Sequence, residues 1–377
     1  MKSKLIFLLC LLVLSACQAQ PAAPGTPTPQ PASTQTIPAE TTLTTSEVNP
    51  ETQNTPDPTN PLTGLPVADP SILNRRPVMI KVSNFPREGR PHAGLAFADL
   101  VFNYYIGEGT DRFLALFYGQ NAERVGPVRS GRLVDVHLVS LYQGILGFGS
   151  ADYDTREVIF GALGRRAIAN LEAPCPAFCG SDTHSVIGVF ANSAALSDWY
   201  SQNAGDNQRF NLSGMTFNET PPSGGKSGSQ LMVLFNYYNR GEWRYDSASN
   251  KYLRWYEEML DEASFQMVPS LERITGQQLA FDNVIILFVQ YVELAPSKHE
   301  IEVLQNLGGQ RALFFRNGQL FEGTWKVGNQ DKPIQFFNAQ GNPFPLKPGN
   351  SWVFLMGLNS SFEEKSPGQW ESFFLLP

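Results

Sequence analysis

The stretch Asp99-Leu-Val-Phe-Asn-Tyr-Tyr-Ile106, followed closely by Arg112-Phe-Leu-Ala-Leu-Phe-Tyr118, decides the expected fold. Short apolar and aromatic runs bounded by turn residues are typical of buried β-strands. The intervening Gly107-Glu-Gly-Thr-Asp111 predicts a tight connection between two neighbouring strands. Val78-Met-Ile-Lys-Val-Ser83 is a third run of the same kind. The core of the folded region is therefore expected to be a β-sheet.

Helical and extended patterns are mixed in the rest of the chain. Residues 133–142 carry apolar side chains at helical spacing, without the regular strand–helix alternation of a doubly wound sheet. We therefore expect an α+β fold, with a layered α/β sandwich N-terminal domain over residues 60–217. After a Pro-, Gly- and Ser-rich linker at 218–230, the runs become strand-like, and Asn317-Gly318 predicts a two-residue hairpin turn. Residues 231–377 should form a smaller, strand-rich C-terminal domain.

Residues 1–17 have the organisation of a bacterial lipoprotein signal peptide. Two lysines precede a ten-residue apolar run, which leads into Leu14-Ser-Ala-Cys17. The run is too short to span a membrane, and the last four residues match a lipobox. We expect an extracytoplasmic protein anchored to the membrane by lipidation of Cys17. An ordinary signal peptide that ends near a cysteine is the alternative.

The segment 18–59 is expected to be a disordered tether. It contains nine Pro and eleven Thr, and it has no aromatic residue, Lys or Arg. Such a composition buries too little apolar surface to offset the entropy that ordering costs. A spacer between the anchor and the folded region is the favoured interpretation.

Composition and missing motifs argue against several classes of function. The chain has 28 Lys+Arg against 35 Asp+Glu, a formal net charge of -7, whereas nucleic-acid-binding proteins normally present a basic face. No P-loop, dinucleotide-binding glycine motif, H-E-x-x-H or Cys/His zinc spacing occurs in the sequence. We therefore predict no nucleic-acid partner, no cofactor and no metal.

Two cysteines lie close together in Pro-Cys175-Pro-Ala-Phe-Cys179-Gly. Outside the cytoplasm such a pair is expected to form a disulfide that closes a small loop. Free thiols are one alternative. A metal site is another, although His184 is the only histidine nearby.

The segment Gly126-Pro-Val-Arg129-Ser130-Gly-Arg132 is the best candidate for a ligand site. It places two guanidinium groups and a hydroxyl just before a predicted helix. Helix N-termini favour anions, and the guanidinium fork matches carboxylate or phosphate oxygens. The alternative is internal ion pairing of the two arginines with an acidic residue: Glu108, Asp111 or Asp135.

A weaker candidate combines Arg90-Pro-His92 with Glu108-Gly-Thr-Asp111-Arg112. His92 and Arg112 extend the set of possible ligand-binding residues. Two carboxylates and a histidine could also serve as general acid and base. A capped turn with surface ion pairs is the alternative.

Other combinations centre on His184. Ser130 or Ser150 with His184 and an aspartate would supply the parts of a nucleophilic triad, but no G-x-S-x-G motif is present. A metal site from Asp152, Asp154 and His184 is equally weak. A structural, hydrogen-bonding role for His184 is the favoured interpretation.

Several stretches carry a family resemblance. They are Asn60-Pro-Leu-Thr-Gly-Leu65, Arg90-Pro-His-Ala-Gly-Leu95, Gly126-Pro-Val-Arg-Ser-Gly-Arg132, Trp243-Arg-Tyr-Asp246 and Pro348-Gly-Asn-Ser-Trp352. Together they resemble the YerB-like lipoproteins, a family built on a domain of unknown function. The resemblance implies a bacterial, extracytoplasmic lipoprotein of α+β fold with a separate strand-rich C-terminal domain. It implies no chemistry, and the cysteine loop lies outside the pattern.

These observations favour a non-catalytic module that binds an anionic cell-envelope component or a protein partner. Arg129 and Arg132 would supply the contact with the anion. The alternative is a cell-wall hydrolase or transferase in which Glu108, Asp111 and His184 transfer protons and the arginines stabilise a developing anion.

Overall fold

The computed structural model describes residues 58–180, 187–306 and 308–376. The described residues belong to one compact unit. The predicted signal peptide, the lipobox with Cys17, nearly all of the tether and His184 lie outside the described residues.

The described residues contain α-helices and many short strands. The helices are α1 (Leu133–Leu141), α2 (Tyr153–Leu163) and α3 (Ser193–Asn203). The strands are β1 (Val78–Ser83), β2 (Leu100–Gly107), β3 (Thr110–Phe117), β4 (Ile145–Phe148), β5 (Ala167–Ala169), β6 (Phe178–Cys179), β7 (Phe190–Ala191), β8 (Thr216–Phe217), β9 (Lys226–Ser227), β10 (Gln230–Asn236), β11 (Asn239–Asp246), β12 (Lys251–Met259), β13 (Phe265–Pro269), β14 (Ala280–Phe281), β15 (Asn283–Val289), β16 (Tyr291–Ala295), β17 (Lys298–Ile301), β18 (Gln310–Arg316), β19 (Gln319–Lys326), β20 (Gln335–Asn338), β21 (Pro345–Leu346), β22 (Ser351–Gly357), β23 (Ser361–Ser366) and β24 (Gln369–Phe373). Within the described ranges, no helix has the length and apolarity that crossing a membrane requires.

A large sheet organises the molecule. Its strand order is β20-β19-β18-β15-β22-β2-β3-β1-β4-β5, with β9 paired to β19. β2 pairs with β22 in parallel, so that Leu100 lies opposite Ser351. Strands from residues 60–217 and 231–377 therefore share one sheet, and the segment 218–230 does not separate two sheets. The α+β class is confirmed, whereas the expected sandwich followed by a separate strand-rich domain is not the arrangement found.

The two faces of this sheet have different partners. Tyr104 lies opposite Arg112, and Asn103 lies opposite Phe113, in the β2–β3 register. Because side chains alternate along a strand, these two pairs point to opposite faces. The Tyr104 face packs against α1 and α2, and the Phe113 face packs against a smaller sheet. We call them the helix face and the sheet face.

The smaller sheet packs through buried aromatic rings. Its strand order is β13-β12-β11-β10-β24-β23, with β14 paired to β12. Trp352 of the large sheet lies 5.0 Å from the ring of Trp243 on β11 and 5.3 Å from that of Phe281 on β14. The ring of Phe113 lies 5.0 Å from that of Trp352 on the same face. Burial of these large rings fixes the smaller sheet against the large one.

Local signals predicted several of these elements correctly. Asn317 and Gly318 both have positive φ, 51° and 70°, and they connect β18 to β19 as a two-residue hairpin loop requires. The run 284–292 is divided at Gln290 between β15 and β16. The structure also joins Cys175 to Cys179 by a disulfide, close to the end of β6.

Candidate functional site

The segment 126–132, here called the arginine loop, lies between the ends of the parallel strands β1 and β4. The Arg129 N–H donates to Lys81 O at 2.9 Å, and Arg129 O accepts from Gly149 N at 2.8 Å. Gly131 N donates to Ser150 O at 2.7 Å. These bonds fix the loop at the carboxyl edge of the sheet, where many α/β proteins bind ligands.

Gly131 is required by the packing of this loop. A Cβ at this position would lie 2.7 Å from Ile159 Cδ1 on α2 and 3.2 Å from Phe148 Cδ2 on β4. Both distances are shorter than ordinary carbon contacts. The glycine therefore allows the loop to rest directly on the helix and holds Arg132 at the start of α1.

Three guanidinium groups meet here, from Arg112, Arg129 and Arg132, and we call them the arginine cluster. Arg112 comes from β3, is 8% exposed, and donates from Nη1 to Ser130 O at 2.8 Å. Arg132 donates from Nη1 to Gly131 O at 2.8 Å. The Nε atoms of Arg129 and Arg132 are buried without a hydrogen-bond partner. Within the described ranges, no carboxylate forms an ion pair with any of the three.

The electrostatics reflect this crowding of like charges. Burial lowers the pKa of Arg112 to about 9, and the charges of Arg132 and Arg129 lower it further. Burial and the charge of Arg132 also lower the pKa of Arg129. An anion placed among the three groups would favour their charged forms.

A buried polar group lies below the cluster on the helix face. Lys81, with no exposed surface, donates to Asp135 Oδ1 at 3.1 Å and to the hydroxyl of Tyr104. Tyr104 donates in turn to Asp135 Oδ1. The other oxygen of Asp135 accepts from the backbone N–H of Arg132 at 2.7 Å. Asp135 is therefore the counter-ion of Lys81 and a cap for α1, and it does not pair with the arginine side chains.

The buried lysine predicts a specific dependence of stability on pH. Burial lowers the pKa of Lys81 to about 7; Asp135 raises it, whereas Arg112 and Arg132 lower it further. Tyr104 is the other group that faces the ammonium. An unfolded lysine titrates near 10.4, so between these values the unfolded chain binds the additional proton. The free energy of unfolding should therefore rise with pH across this interval.

Urea unfolding at pH 7 and pH 9 checks this expectation. The parent should gain stability between the two values relative to Lys81→Met, which lacks the titrating group. Equal changes in the free energy of unfolding of the two proteins would show that Lys81 does not cause the pH dependence.

A hairpin of β16 and β17 covers the neighbouring surface. His137 Nε2 of α1 lies 2.6 Å from Glu300 Oε1 of β17. Lys298, at the start of β17, lies 3.2 Å from Asp154 and 3.7 Å from Asp152, next to the start of α2. These contacts hold the hairpin against the two helices that border the arginine cluster.

His92 and Asp111 lie on the sheet face, away from the cluster. His92 Nε2 contacts Ser83 O at 2.8 Å, and its ring packs on Phe113. Asp111 is 2% exposed and accepts from amide groups of both sheets. The donors are Asn103 at 2.6 Å, Asn84 at 2.7 Å and Asn239 at 3.0 Å. The sheet therefore separates the predicted ligand residue His92 and the predicted catalytic residue Asp111 from Arg129 and Arg132.

The remaining predicted catalytic residues are not brought together either. Glu108 is exposed in the turn between β2 and β3, where its φ is 52°, and His184 lies outside the described residues. In the part of the chain that the structure describes, no group of three His, Cys, Asp or Glu side chains could hold a metal ion. The arginine cluster is thus the predicted site that the fold assembles.

Sequence reasoning missed the polar groups around the cluster. Lys81 interrupts the apolar run of β1, and this lysine in an otherwise apolar strand was the available signal. Tyr104 gave no such signal, because aromatic residues are common in buried strands.

Comparisons with known proteins agree with the fold. Family models match twice: Protein of unknown function (DUF3048) N-terminal domain over residues 62–191, and the corresponding C-terminal domain over 232–353. The chain is 26% identical over 313 residues to "Putative lipoprotein YerB" of Bacillus subtilis (strain 168), which covers 78% of this chain and 85% of that protein. The crystal structure of YerB protein from Bacillus subtilis superposes with a TM-score of 0.65 at 24% identity, covering 79% of this chain and 96% of that chain. This structural similarity shows a shared fold.

The strand-rich α+β fold and the two matched regions define the class of protein. The chain belongs to the DUF3048 family, whose N- and C-terminal domains of unknown function it contains in order. In this chain the two matched regions contribute strands to the same large sheet.

Proposed function

We propose that this protein is a lipid-anchored, extracytoplasmic binding module for an anionic component of the cell envelope. The observation that carries the proposal is the arginine cluster at the carboxyl edge of the sheet. Its guanidinium groups have no carboxylate partner among the described residues, although burial makes unpaired charge costly. A bound anion would supply the missing counter-charge.

The anchoring part of the proposal rests on the sequence and on the relative. Leu14-Ser-Ala-Cys17 matches a lipobox, and the relative from Bacillus subtilis is named a lipoprotein. Lipidation of Cys17 would bind the chain to the membrane surface. A Pro-rich tether over 18–59, at about 3.1 Å per extended residue, could hold the folded unit on the order of 130 Å away.

The enzymatic alternative has less support. Asp111 hydrogen-bonds to three asparagine side chains on the sheet face, and Glu108 is exposed in its turn. General acid–base catalysis requires groups within hydrogen-bond reach of one substrate. A binding role requires only the cluster itself.

Thermal unfolding of the purified full chain tests the binding role. The panel contains muropeptides, phosphorylated polyprenyl carriers and anionic sugars. A ligand at 100 times its Kd stabilises the folded state by about 2.7 kcal/mol, which shifts Tm measurably. We expect at least one anionic ligand to raise Tm of the parent and the shift to be lost in Arg129→Gln/Arg132→Gln.

The matched control is Arg311→Gln/Lys365→Gln, which removes the same charge elsewhere. These side chains are 46% and 52% exposed, on β18 and β23. The control should retain the ligand-induced shift. A shift that survives in the Arg129/Arg132 variant would refute the assignment of the site.

A further inference from the structure

Building on the proposed function, we infer that the arginine cluster recognises a phosphoryl group, as a phosphomonoester or a diphosphate, rather than a carboxylate. The inference rests on the number of unpaired donors and on the local charge balance.

The cluster offers more donors than a carboxylate can use. The guanidinium of Arg129 makes no hydrogen bond to the described residues, so all of its N–H donors are unpaired there, the buried Nε included. Arg112 and Arg132 each direct one nitrogen, Nη1, to a backbone carbonyl. A carboxylate has two oxygens and fills one guanidinium fork, whereas a phosphoryl group directs three oxygens outward and suits several forks at once.

The charge balance points the same way. Asp135 forms its ion pair with Lys81, so no carboxylate of the described residues lies within ion-pair distance of the arginine cluster, although Asp135 and Asp152 raise the pKa of Arg132 from farther away. A phosphomonoester carries about -1.5 to -2 charges at neutral pH, and a carboxylate carries only one. The N-terminus of α1 begins directly after Arg132, and its dipole adds to the attraction for a multiply charged anion.

Isothermal titration of the purified full chain tests the inference. The probes are sodium pyrophosphate, sodium phosphate and sodium acetate at matched ionic strength, because salt screens such contacts. We expect pyrophosphate and phosphate to bind, and acetate to bind at least about tenfold more weakly, since each charge-assisted hydrogen bond contributes roughly a tenfold factor or more. Arg129→Gln/Arg132→Gln should weaken pyrophosphate binding by at least about tenfold.

Arg311→Gln/Lys365→Gln should match the parent with every probe. A further titration with farnesyl diphosphate distinguishes lipid-linked from soluble phosphates. Tighter binding of farnesyl diphosphate than of pyrophosphate indicates a lipid-linked phosphate, and equal binding indicates a soluble one.

Two outcomes separate this inference from the proposed function. Acetate binding as tight as phosphate, lost in the Arg129/Arg132 variant, would overturn the phosphoryl assignment and leave the anion-binding role intact. No binding of any of these anions, or of the envelope panel, by a folded parent would overturn both.

Discussion

At pH 6, below the pKa of about 7 of the buried lysine, replacing Lys81 by methionine is expected to lower the free energy of unfolding by about 3–5 kcal/mol. Methionine has a similar length and removes the ammonium group that compensates Asp135. Both side chains have no exposed surface, so the variant would leave the Asp135 carboxylate in the interior without its cationic partner. Removing one partner of a buried ion pair costs far more than the pair itself contributes. Guanidinium chloride unfolding of the parent and the variant measures the difference.

Two further variants define the cause. In Lys81→Met/Asp135→Asn the buried charge is absent, while an amide oxygen can still accept from the Arg132 N–H. This double variant should recover part of the lost stability. Lys226→Met removes a lysine that pairs with Glu322 at 2.7 Å but is 60% exposed, so it should cost less than about 1 kcal/mol. A double variant less stable than Lys81→Met would show that the unpaired carboxylate is not the cause.

Truncation of Trp352 should be comparably severe. Trp352→Ala is expected to cost about 3–5 kcal/mol, the range for large aromatic residues removed from a core. The ring has no exposed surface and lies against Trp243, Phe113 and Phe281. The Arg254 guanidinium also stacks on it at 4.9 Å. The cavity would open between the two sheets and weaken their contact. Chemical denaturation followed by tryptophan fluorescence and far-UV circular dichroism measures the loss.

Trp255→Ala is the matched control, with the same change of side chain. Trp255 is half-buried on β12, and its main contact is the Arg244 guanidinium at 4.0 Å. Because less apolar surface is lost and solvent can fill the space, the control should lose less than half as much stability. Equal losses from the two variants would mean that Trp352 does not join the sheets as described.

The sequence predicted those features of the site that depend on local pattern. The arginine loop was identified because two arginines come directly before a helical pattern. This arrangement involves only residues that are neighbours in the sequence. Lys81 could not be placed there, because β1 reaches the loop only through the fold. Asp111 was wrongly grouped with the arginines, although alternation along β3 already places it on the face opposite Arg112.

The sequence by itself predicted the α+β class, several of the strands, a helix over 133–142 and the family. Hydrophobic periodicity and turn chemistry act over a few residues, and a single chain displays them directly. Only the tertiary structure decided that β22 pairs with β2, which joins both sequence regions in one sheet. It alone placed the arginine cluster above a buried lysine and left its guanidinium groups without carboxylate partners in the described ranges. Pairing between distant strands depends on the packing of the whole core, and no local pattern encodes it.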